Sequence, residues 1–197
     1  MPTLRIMVGV PGSGKDHFIL YHKEHDDVVV SSDDIRAELG DVNDQSKNEL
    51  VFTIFYERIE QAMKDGKNVW VNATNVTKVN REKAIALGKQ YGYEIHAIIM
   101  YTSTEMCIKN DALRDRTVGE AVIRKFEQRF ENPSLAEGFD MIWTALFTEG
   151  RRPPVDWIED APGLYRCPYC GHTEGKRRKY CCDCGVEFKY DKSCKTP

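Results

Sequence analysis

The chain has 197 residues, 41% hydrophobic and 30% charged, with a formal net charge of −3. That composition excludes disordered and collagen-like chains, and the length allows one full domain plus a small appendage. No apolar run approaches the ~20 residues of a membrane helix, and Gly9, Pro11, Gly12 and Gly14 break the first hydrophobic stretch, so the sequence reads as an untargeted cytoplasmic protein with no membrane partner.

In chain order, residues 4–8 read as a buried strand, followed by a glycine-rich turn and a helix over 15–23. A second short strand at 28–30 leads into Ser31-Ser32-Asp33-Asp34, which opens a helix through Leu39; Ser32 or Asp33 can cap its free amides. A long helical pattern over 48–65 stops at Gly66, a third strand covers 68–71, and a polar loop at 72–77 precedes a helix that runs to Tyr91. The next strand spans 94–101, two helices cover 103–114 and 119–130, and a last strand is expected at 138–146. Strands alternating with helices predict a three-layer α/β fold with a mostly parallel sheet, because parallel strands need crossovers that cover both faces. Ligands of such sheets gather at the carboxyl ends of the strands.

The sharpest chemical signal is Gly9-Val10-Pro11-Gly12-Ser13-Gly14-Lys15-Asp16, placed directly after the first strand. Glycines let backbone amides turn inward around a phosphate, the helix N-terminus adds its dipole, and Lys15 brings positive charge to the transferring groups. Asp16 stands where Ser or Thr is usual; a carboxylate binds magnesium more strongly than a hydroxyl but adds negative charge beside the phosphates. After the second strand, Asp33 is placed to accept a proton from an attacking hydroxyl, and Arg36, one turn on, to hold an acceptor phosphate. The plainer alternative makes Asp33 a helix cap and Arg36 its surface partner. Arg114-Asp115-Arg116, between two helices, has the position of a lid over the phosphates or, equally, of a solvated surface pair.

Together these motifs resemble the polynucleotide 5′-hydroxyl kinase family of P-loop phosphotransferases, which includes the phage polynucleotide kinases. The resemblance covers residues 1 to about 147 and runs through 8–15, Ser32-Asp33-Asp34-Ile35-Arg36, Ala73-Thr74-Asn75 and Phe130-Glu131-Asn132-Pro133-Ser134 into Glu137-Gly138-Phe139-Asp140. It implies that Gly12, Ser13, Gly14, Lys15 and Asp16 bind ATP with Mg2+, that Asp33 is the general base, and that Arg36, Thr74 and Asn75 meet the acceptor. Arg114 matches the family's lid arginine, with Arg116 a near competitor. The family usually carries Asp before Thr-Asn, where this chain has Ala73.

Six of the seven cysteines lie between Cys167 and Cys194. Cys167-Pro-Tyr-Cys170-Gly and Cys181-Cys-Asp-Cys184-Gly are two knuckles of zinc-ribbon type, whose four thiolates would close a tetrahedral, structural Zn2+ site. Residues 1–163 carry 20 Lys and Arg against 27 Asp and Glu, whereas 164–197 carry 8 against 4. The tail is therefore basic, with a cluster at 176–179 and interleaved aromatics that suit unpaired nucleic-acid bases; a ribbon that only stabilises the fold explains the same residues. The expected organisation is a P-loop kinase domain over 1–150, a linker over 151–163 and a zinc ribbon over 164–197. The expected activity is transfer of the γ-phosphoryl group of ATP to a nucleic-acid hydroxyl, a 5′-OH end, single-stranded ends included. Two alternatives stand beside it: a kinase of a nucleotide or of a hydroxylated modified base within DNA, such as 5-hydroxymethyluracil, and a non-catalytic nucleotide- and nucleic-acid-binding adaptor.

Overall fold

The computed structural model describes residues 1–40, 45–114 and 116–147, together with 158–161, 164–166 and 173–174. Two compact units result, the larger comprising Met1–Ile19 and Lys23–Thr148. Its strands are β1 (Thr3–Val8), β2 (Val28–Ser31), β3 (Val69–Asn72), β4 (Glu94–Thr102) and β5 (Met141–Phe147), joined through helices α1 (Lys15–His22), α2 (Ser32–Glu38), α3 (Asn48–Lys64), α4 (Lys78–Gln90), α5 (Thr104–Ala112) and α6 (Glu120–Gln128). All pairings are parallel, in the order β2-β3-β1-β4-β5. The chain leaves β1 toward β2 on one side and crosses from β3 to β4 on the other, so the switch in direction falls at the carboxyl end of β1, where such sheets bind ligands.

The sheet alternates because side chains of a strand point to opposite faces. Leu4, Ile6 and Val8 enter the main core with Val51, Phe55 and Ile59 of α3 and Ala84 and Ile85 of α4. On the other face Met7, Trp70, Ile98 and Met100 pack with Ile19 of α1. Val10, Val76, Cys107 and Ile123 form a third cluster that joins the loops after β1 and β3 to α5 and α6.

Several boundaries differ from expectation by a residue or more, among them α6, which covers Glu120–Gln128 rather than 119–130. The last strand begins at Met141 rather than near residue 138, because Leu135–Glu137 forms a 3-10 turn closed by Gly138 at φ 107°, a left-handed conformation that glycine adopts without strain. Asp140 then turns back on β4, its carboxylate accepting the Ile95 amide at 2.8 Å. The helix expected over 103–114 stops at Ala112, leaving Arg114 beyond its end.

The smaller unit contains an antiparallel sheet of β6 (Ile158–Ala161), β7 (Leu164–Arg166) and β8 (Thr173–Glu174). β6 lies inside the segment expected as linker. The four candidate zinc ligands, Cys167, Cys170, Cys181 and Cys184, and the basic cluster at 176–179 lie outside the described residues. Among the described residues no helix is long and apolar enough to cross a membrane.

A phosphate loop facing an arginine-held aspartate

Because the five strands are parallel, the segments that follow them meet at one edge. The loop after β1 turns there through Gly12 and Gly14, with φ of 76° and 92°. A Cβ on Gly12 would lie 2.2 Å from the Cys107 carbonyl oxygen, so the loop backs directly onto α5. The side chains around it occupy its carbonyls: Lys15 Nζ donates to those of Gly9 and Val10 at 3.0 and 2.9 Å, Asn110 to that of Gly12 at 2.8 Å, and Thr102 to that of Ser13 at 2.9 Å. A planar trans peptide points its N–H opposite its C=O, so the Ser13 carbonyl bound to Thr102 turns the Gly14 amide the other way. Gly14 caps α1 with no side-chain bond, and the first amides of a helix have no intrahelical acceptors. Donors that converge at a helix N-terminus, beside a lysine, fit a polyphosphate.

Burial pushes the Lys15 ammonium down to about 8; Arg114 adds to that effect, while the Asp16 and Asp33 carboxylates oppose it. The residue after the loop lysine, the aspartate of α2 and the arginine beyond α5 thus all act on that lysine. Asp16 lies in the first turn of α1 and accepts from Asn72, at the end of β3, at 2.7 Å. Burial raises the Asp34 carboxyl above its ordinary value, with the Asp16, Asp33 and Glu38 charges reinforcing the shift. Asp16 and Asp34 are hard oxygen donors of the kind that hold magnesium.

Ser31 caps α2, accepting the Asp34 amide at 3.2 Å. This leaves Asp33 half exposed, and its Oδ1 receives two guanidinium groups, Arg36 at 3.1 Å and Arg116 at 3.2 Å. Arg36 also donates to Asn48 at 2.8 Å, and its side chain is 11% exposed. In this state it ties α2 to α3 and steadies Asp33. Arg116 comes from the segment between α5 and α6, which buried Asp111 secures by accepting the amides of Val118 and Gly119, each at 2.9 Å. Of the two lid candidates, Arg114 lies near Lys15 and Arg116 touches Asp33.

The loop after β3 is held from below. Thr74 is half-buried, and its carbonyl accepts the Gly9 amide at 2.9 Å. Asn75 is buried with φ 47°, and its side-chain amide donates to the Met7 carbonyl at 2.8 Å; in this state the side chain spans the sheet edge rather than facing outward. Arg81 of α4, fully buried, donates to both oxygens of Glu137 at 2.8 and 2.9 Å and to the carbonyls of Asn75 and Glu131 at 3.0 Å.

Sequence reasoning passed over Arg81, Asp111, Asn110 and Asn72. Arg81 had a signal, since Arg81, Ala84, Ile85 and Gly88 follow the spacing of a buried helix face and all four are buried. An arginine on an apolar stripe requires a partner inside.

A family model described as an AAA domain matches residues 4–133. Among solved structures, the chain is similar to a chain of the Pnkp1/Rnl/Hen1 RNA repair complex, at 23% identity and a TM-score of 0.59 over 65% of this chain and 43% of that one. It therefore spans less than half of that chain. A proposed kinase from Chloroflexus aurantiacus is similar at 16% identity and a TM-score of 0.57, over 74% of this chain and 85% of that one. The Mycobacterium tuberculosis APS kinase CysC, in complex with AMPPNP and APS, matches at 15% identity and a TM-score of 0.51, over 73% and 88%. At these identities the likeness is one of fold, that of P-loop kinases.

Proposed function

The chain belongs to the AAA domain family, whose model spans residues 4–133, and on that premise we propose that it is a kinase moving the γ-phosphoryl group of ATP to a hydroxyl of a nucleic acid, the 5′-OH end of DNA or RNA. What supports the reading is the proximity of Lys15, Asp33 and Arg114, close enough for the carboxylate and the guanidinium to act on the lysine. Donor and acceptor groups thus meet at one edge of the sheet, as in-line transfer requires. Asp33 Oδ1 is engaged by Arg36 and Arg116, and among the described residues Oδ2 has no partner; Oδ2 is the oxygen left to take the proton.

In the step itself the acceptor oxygen bonds to the γ-phosphorus while its proton passes to Asp33. The bond between the γ-phosphorus and the bridging oxygen breaks, and its electron pair leaves with ADP. Lys15 and the amides of 12–16 stabilise the charge on the donor phosphates, and Arg114 stabilises charge developing on the transferring group. Asp16 and Asp34 would hold magnesium, which when bound neutralises donor charge. Cys167, Cys170, Cys181 and Cys184 are proposed to hold a structural zinc, with the basic cluster at 176–179 engaging nucleic acid. One structural neighbour belongs to an RNA repair complex, in keeping with such an acceptor.

A second reading keeps the chemistry and changes the acceptor to a nucleotide or a hydroxylated base within DNA. It is favoured by Ala73, buried where the polynucleotide kinases carry a carboxylate. Labelled ATP offered with 5′-hydroxyl DNA and RNA oligonucleotides, mononucleotides and hydroxymethyl-base DNA separates the two. Label on the 5′ ends is expected; label on the mononucleotide or modified base alone selects the second reading, and a protein that binds ATP but labels nothing is an adaptor.

A further inference from the structure

α3 buries a stripe formed by Val51, Phe55, Ile59, Ala62 and Met63. Phe52 stands at the N-terminal end of that face, one turn before Phe55 and Tyr56, and is still 36% exposed, so the core covers only part of the residue. Its ring packs against Phe55, edge-on at 5.7 Å, and Tyr56 at 6.4 Å. Asn48 and Phe52, one turn apart, share a helix face, and Arg36 reaches that face from α2. Its guanidinium carbon lies 5.8 Å from the Phe52 ring centre while its two terminal nitrogens bond Asn48 and Asp33. A single side chain thus connects the carboxylate that takes the acceptor's proton to an exposed aromatic ring. The Nε of Arg36 is buried with no partner among the described residues.

We propose that Phe52, flanked by Arg36, seats an unpaired nucleobase adjoining the acceptor hydroxyl, so that the site selects a nucleoside end rather than a hydroxyl on a non-aromatic scaffold. This rests on the phosphotransferase reading above. An aromatic ring beside a guanidinium plane stacks any base through its π-face, without reading its sequence. A bare sugar offers nothing to that surface. The acceptor class is therefore base-bearing 5′ ends, above all single-stranded or frayed ones, because pairing leaves a terminal base only its outer face.

The test uses the full chain, labelled ATP and two 5′-hydroxyl oligonucleotides that differ only in a normal or an abasic tetrahydrofuran residue at the 5′ end. The unsubstituted protein should prefer the base-bearing end by about tenfold in kcat/KM, the size of one stack. Phe52→Leu should reduce that preference to about twofold or less, through KM for the base-bearing end, and Phe52→Tyr should retain it. Equal use of both ends by the unsubstituted protein overturns the base seat whatever the stability of the variants, as does a Leu variant that keeps the full preference; either result leaves the transferase reading standing. Label on neither end overturns both.

Discussion

Replacing Arg81 with Met would keep most of the buried stem but remove the guanidinium that holds the loop after β3 to the segment before β5. Arg81 is fully buried and the Glu137 side chain 5% exposed, so the carboxylate left behind has no water to replace its partner. Glu137 would keep its bond from the Ser134 amide at 3.0 Å, too little to offset an ionised group. Breaking one side of a buried pair costs about 3–5 kcal/mol. At roughly 2–4 °C per kcal/mol for a chain of this size, melting should fall by about 6–20 °C. Arg81→Met with Glu137→Met removes the stranded charge and leaves mainly the Asn75 and Glu131 carbonyls short of a donor, a loss of about 2 kcal/mol. The double variant should therefore be more stable than Arg81→Met alone by about 1–3 kcal/mol, and its loss should fall short of the sum of the two single losses in a double-mutant cycle. Urea unfolding followed by the fluorescence of buried Trp70 measures this. A single variant that loses less than about 1 kcal/mol, or a double variant that loses the sum of the two single losses, would refute the clamp.

The phosphate loop gives a pH dependence. Burial holds the Lys15 ammonium at about 8 against an ordinary 10.5, so between those values the unfolded chain binds the proton more tightly and stability rises with pH. Polyphosphate favours the protonated form, so ADP affinity should be level below pH 8 and fall above it; calorimetry on Lys15→Met should show neither slope, and a variant that keeps both would exonerate the lysine. Gly12→Ala forces a Cβ against the Cys107 carbonyl at a φ of 76° and should cost about 2–4 kcal/mol with loss of ADP binding; a melt indistinguishable from the unsubstituted protein would contradict the close approach. Asp33→Asn should reduce phosphoryl transfer by about 10²–10⁴-fold while ADP still binds, and full activity would remove Asp33 as the base. Cys170→Ser should release the zinc from the tail by metal analysis; one zinc retained per chain would rule out the four-cysteine site.

Much of this protein was legible before folding, because the signals were local. Glycines spaced around Lys15 require a left-handed loop, and Gly12 and Gly14 adopt one. The apolar run in residues 4–8 announces a strand buried on both faces, and Leu4, Ile6, Met7 and Val8 are all fully buried. Boundaries slipped where a long-range bond prevailed over propensity: Asp140 spends its carboxylate on the Ile95 amide and delays the last strand, and Asp111 gathers the amides of Val118 and Gly119 around the end of α5.

The amino-acid sequence by itself therefore determined the element types, the phosphate loop and the candidate base, since each depends on neighbours within a turn or two. Tertiary structure alone decided what those residues touch. Arg36 of α2 meets Asn48 of α3, Arg116 reaches Asp33 from 83 residues away, and Arg81 joins segments 56 residues apart. Partners at such separations are chosen by strand order and packing, and no local pattern encodes the distance between them.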